Sequence, residues 1–73
     1  MANNIYSEEY KQVTEKLRHA RLDSGLTQEQ VAKKLGKPQS YVSKSEAGER
    51  RLDITELKAF ADIYKKRINN FVS

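Results

Sequence analysis

No cysteine and no tryptophan occur among the 73 residues, and glycine and proline number only three and one. Without cysteine there is neither a disulfide framework nor a thiolate metal site, so a small fold must hold itself together by packing alone. The single histidine, His19, has no second histidine and no paired acidic cluster to complete a metal site or a catalytic pair. Ser40 and Ser43 lack a positioned general base. The expectation is no catalytic residue, no metal, no cofactor and no enzyme. Long apolar runs are missing too: nothing approaches the roughly 20 residues needed to span a bilayer, and the polar stretch Met1 to Tyr6 is unlike a secretory signal. A soluble, cytoplasmic protein without a membrane partner is expected.

What the chain does have is charge. Fourteen Lys and Arg face ten Asp and Glu, for a net charge of +4, which favours a polyanionic partner such as nucleic acid or an acidic membrane surface. A hydrophobic fraction of 37 % is still enough for one core. Scarce glycine and proline beside abundant Lys, Glu, Leu, Gln and Ala favour helices over strands.

The chain reads as a flexible tail over 1–6 and one domain over 7–73. Ser7 can cap a first helix, Glu8 to Ser24, whose apolar side follows Tyr10, Val13, Leu17 and Ala20; Gly25 stops it. Thr27 and Gln30 form a capping box for a second helix that ends at Leu35 and Gly36. Pro38 stands at the mouth of a third, Gln39 to Ala47, closed by Gly48. Asp53 and Glu56 repeat the start signal for a fourth, Ile54 to Tyr64. Lys65, Lys66 and Arg67 then suit its negative end. Ile68, Phe71 and Val72 read as a short last turn, which either closes the core or offers a dimer patch. The fold class is all-α.

Two short helices joined by a tight glycine-containing turn make a helix-turn-helix, whose second helix fits a major groove about 12 Å wide. On that helix Val42 and Ser45 share one side, while Gln39, Ser40, Ser43 and Lys44 share the other. Gln39 can bond adenine N6 and N7, Lys44 can reach guanine O6 or N7, and Ser40 sits in the deeply penetrating first turn. These three are the expected base contacts. Gln28, Ser43, Tyr41, Arg50 and Arg51 are the expected phosphate contacts. For Tyr41, packing at the junction of the second and third helices is an equal alternative.

The ordered string L-R-x-x-R, G-L-T-Q-E-Q-V-A-x-x-L-G and Q-S-Y-V-S-K-x-E-x-G-E-R-R resembles the phage-repressor-like Cro/cI (XRE-type) helix-turn-helix family, over about Leu17 to Phe71. That resemblance implies a compact five-helix, lambda-repressor-like domain, double-stranded DNA as partner, and an ion pair between Arg21 and Glu46. It also implies a transcriptional repressor; half-site logic adds a homodimer on a palindrome. An antitoxin or antirepressor module with weak DNA binding is the rival, and RNA binding a weaker third option. Two positions depart from the pattern. Ser45 stands where the family is usually apolar, and an inward hydroxyl left unsatisfied costs about 1 to 3 kcal/mol. Ala47 replaces a polar residue that contacts phosphate in some relatives.

Overall fold

The computed structural model describes residues 8–72, with the side chain of Val72 outside the description. The expected tail and its capping Ser7 lie outside the described residues. Five helices follow one another: α1 Glu8–Asp23, α2 Gln28–Leu35, α3 Gln39–Ala47, α4 Ile54–Tyr64 and α5 Asn69–Val72. No strand is present among the described residues.

Local chemistry explains most of the boundaries. Thr27 accepts the Gln30 amide while the Gln30 side chain accepts the Thr27 N–H, so the first turn of α2 is satisfied from both ends. Asp53 and Glu56 do the same for α4. Gly36, with φ 69°, closes α2 in the left-handed region, where a side chain would be strained. The end of α4 carries no such signal: Lys65 itself adopts φ 58° and returns its N–H to the last turn.

Leu17 of α1, Val31 of α2, Val42 of α3 and Phe60 of α4 meet in the centre with no exposed surface. α2 packs on α3, and α1 runs against α3, α4 and α5. Phe71 of α5 is 1 % exposed and belongs to this core, with Ile68 partly buried against it. Phe71 therefore closes the core and cannot serve as an exposed dimer patch. The physical reason is that α5 packs against α1 and turns the Phe71 ring into the shared core.

The buried hydroxyls of Ser45 and Thr14 both bond backbone carbonyls one turn earlier. Ser45 is fully buried and donates to the Tyr41 carbonyl one turn earlier at 2.6 Å, so its hydroxyl is satisfied and only packing volume is lost at that position. Thr14 bonds the Lys11 carbonyl at 2.9 Å in the same manner. None of the described helices is long and apolar enough to cross a membrane.

Candidate nucleic-acid interface

A turn of only three residues, Gly36 to Pro38, separates α2 from α3. With so short a connection α3 is fixed against α2, and its orientation follows from which side is buried. Val42 and Ser45 point inward with no exposure, whereas Gln39, Ser40 and Lys44 are exposed and Ser43 is half-buried. The three expected base contacts thus share the open side of α3, with Gln39 and Ser40 in its first turn.

Behind this face lies a buried ion pair. Arg21 of α1 meets Glu46 of α3 through Nε to Oε2 at 2.6 Å and a second nitrogen to Oε1 at 3.1 Å; its remaining nitrogen donates to the Leu26 carbonyl at 3.0 Å. The hydrogen bond to Glu46 raises the Arg21 pKa above its already high ordinary value. Gln28, expected at a phosphate, donates from Nε2 to Glu46 Oε1 at 3.1 Å. One carboxylate therefore ties α1, α2 and α3 together. Burial pushes the nearby Tyr64 hydroxyl well above the usual tyrosine range.

A second cluster gathers around Tyr41. Its ring stacks on Phe60 at 6.1 Å and 12°, its hydroxyl donates to Glu56 Oε2 at 3.3 Å, and the Arg50 guanidinium lies 4.3 Å from the ring centre. Burial, followed by the Glu56 charge, raises the Tyr41 pKa. Arg50 bonds the same Glu56 oxygen at 3.1 Å. Its charge is thus partnered by Glu56, which competes with the expected contact of Arg50 to a phosphate. Arg51 lies elsewhere, 5.3 Å from the Tyr10 ring where α1 meets the start of α4. Lys37, which the sequence reading passed over, places Nζ 5.3 Å from the Tyr41 ring at the entry to α3. Its signal was a basic residue immediately before the proline that opens α3.

A helix-turn-helix family model matches residues 17–71, most of the chain. The chain belongs to the Cro/cI-type helix-turn-helix family. No curated protein matches it. The family is one of DNA-binding regulatory domains, and the α2-turn-α3 unit of this helix-turn-helix protein is the part that carries the name. A shallow polar concavity of about 550 Å³, lined by Gln12, Lys16, His19 and Lys66 among others, belongs to α1 and the chain around α5 and is separate from the α3 face. No group of acids and histidines suited to a metal ion occurs among the described residues.

The cap of α4 gives this domain an acid sensitivity with a defined sign. The Thr55 hydroxyl, then the Glu56 amide, hold the Asp53 carboxylate below its ordinary value of 3.8. The Asp53 amide and then Arg50 hold Glu56 below 4.5. Groups lowered by folding add stability that is complete above their unfolded values and is lost as pH falls through the folded ones. Melting temperatures should therefore hold steady down to about pH 5 and fall below it. The fall should be shallower in Glu56→Gln, which keeps a cap acceptor but has no carboxylate to protonate; an identical slope would remove Glu56 from the linkage.

Proposed function

We propose that this protein is a sequence-specific double-stranded DNA-binding transcriptional regulator, a repressor acting as a dimer on a palindromic operator. The observation that carries the reading is the one-sidedness of α3: hydrogen-bonding side chains on the open side, two fully buried residues on the other. Gln39 reads adenine, Lys44 reads guanine, and Ser40 approaches the bases beside them. Ser43 and the second amide hydrogen of Gln28 meet phosphates, while Glu46 holds the first. Lys37 adds positive charge where the backbone would pass. Dimerisation follows from arithmetic, because one such helix spans few base pairs and specific sites pair two modules about one helical turn apart.

The antitoxin or antirepressor alternative would be favoured by exposed apolar surface beyond α4. The large exposed hydrophobics among the described residues are Leu22 on α1 and Ile54 at the start of α4, so that support is lacking.

Titration of a random duplex against salt tests the electrostatic part: binding that neutralises Z phosphates falls with a log-log slope of about −0.9Z, and a flat response would reject duplex binding. Selection from randomised duplexes then supplies the cognate site and its half-site spacing. On that site Gln39→Ala should lose roughly 10- to 100-fold in affinity while binding to random DNA changes little. Equal losses on both duplexes would refute base reading by Gln39. Arg50→Ala, by contrast, should lower thermal stability and leave the salt slope unchanged.

A further inference from the structure

We propose that the notch where α1 meets the start of α4 is the pairing surface for a second copy of this chain, with Ile54 of each copy seated in the notch of the other. This rests on the duplex-binding dimer proposed above and says where its subunits touch. Ile54 is 63 % exposed, more than any other large hydrophobic side chain among the described residues. Directly beside it lies a concavity of about 200 Å³ floored by Tyr10, Val13, Leu52 and Leu57. That volume suits one aliphatic side chain and falls short of the roughly 300 to 1,000 Å³ of small-molecule sites. A knob and a hole on the same patch is the requirement of a two-fold contact, in which identical surfaces face each other.

Charge selects the same occupant. Arg51 and Asp53, two residues apart, line the notch with opposite signs. A polyanion or an acidic peptide would gain from one and be repelled by the other, whereas a copy rotated by a two-fold axis brings opposite charges together at Arg51 and its partner's Asp53, beyond the cap and ring contacts each makes within its own chain. The walls are preformed: the Tyr10 hydroxyl donates to the Arg50 carbonyl at 2.7 Å and accepts the Leu52 amide at 3.0 Å, which pins the segment that leaves α3. Contact made by this segment sets the distance between the two α3 helices, and hence the half-site spacing. Seven residues line the notch, against the roughly 20 to 30 a side of a stable interface. Pairing is accordingly weak in solution and completed on DNA.

The chain has no cysteine, so single replacements report proximity without background. Leu22, 52 % exposed at the opposite end of α1 from Tyr10, supplies the control. Under mild oxidation at high protein concentration without DNA, Ile54→Cys should form a covalent dimer on the order of tenfold faster than Leu22→Cys. Equal rates, or a faster Leu22→Cys, would overturn the proposal. On the selected duplex, Ile54→Ser should lower affinity for the two-half-site DNA by roughly tenfold and leave a single half-site unaffected. Equal loss on both would make Ile54 a DNA contact and also overturn it. If duplex binding fails altogether while Ile54→Cys still dimerises preferentially, the pairing surface stands and the DNA reading falls.

Discussion

Glu46→Ala is expected to cost about 3 to 5 kcal/mol of folding stability, the penalty for leaving a buried charge without its partner. The side chains of Arg21 and Glu46 are 11 % and 3 % exposed, so water cannot replace the lost carboxylate. Arg21 would keep only its bond to the Leu26 carbonyl, and Gln28 would lose its acceptor as well. Against a total stability of roughly 5 to 15 kcal/mol for a domain of this kind, the loss is a large share. Denaturant unfolding at neutral pH measures it: the midpoint should drop sharply with the slope m unchanged. The double replacement Arg21→Met with Glu46→Leu should recover most of the loss, since it removes both charges and restores volume. A single-variant loss under about 1 kcal/mol would place the pair in the class of solvated surface bridges.

That ion pair also marks how far the sequence could be read. Capping boxes at Thr27 and Asp53 were legible because each is a local signal, complete within four residues. The inward direction of Val42 and Ser45 followed from helical spacing, and so did the open side of α3. Arg21 and Glu46 stand 25 positions apart; the resemblance to Cro/cI proteins supplied their pairing, and no periodicity could have done so. Arg50 shows the opposite case. Which acid neutralises a surface arginine depends on how α3 and α4 cross, and here the stacking of Tyr41 on Phe60 brings Glu56 within reach of both Tyr41 and Arg50. The end of α4 at Tyr64 was legible from its apolar periodicity and the basic residues that follow, whereas the left-handed conformation of Lys65, usually given to glycine or asparagine, was not.

Phe71 is the position where the sequence left two roles open and packing decides between them. A ring 1 % exposed within one chain has no surface left for a second copy. Phe71→Ala should therefore cost about 3 to 5 kcal/mol, as aromatic-to-alanine truncations in cores do. The loss should not depend on protein concentration, because a monomer's core term does not involve mass action, whereas an interface residue would give a deficit that shrinks as protein is added. Unfolding of the variant at two concentrations a hundredfold apart checks this directly. Superimposable curves, both shifted from the parent, assign Phe71 to the core; curves that converge on the parent at the higher concentration assign it to an interface. The same series run on Ile54→Ser should behave differently, with little stability lost at either concentration, because a side chain 63 % exposed has little burial to lose in one chain. The contrast between the two residues separates a side chain that holds one copy of the domain together from one proposed to join two copies.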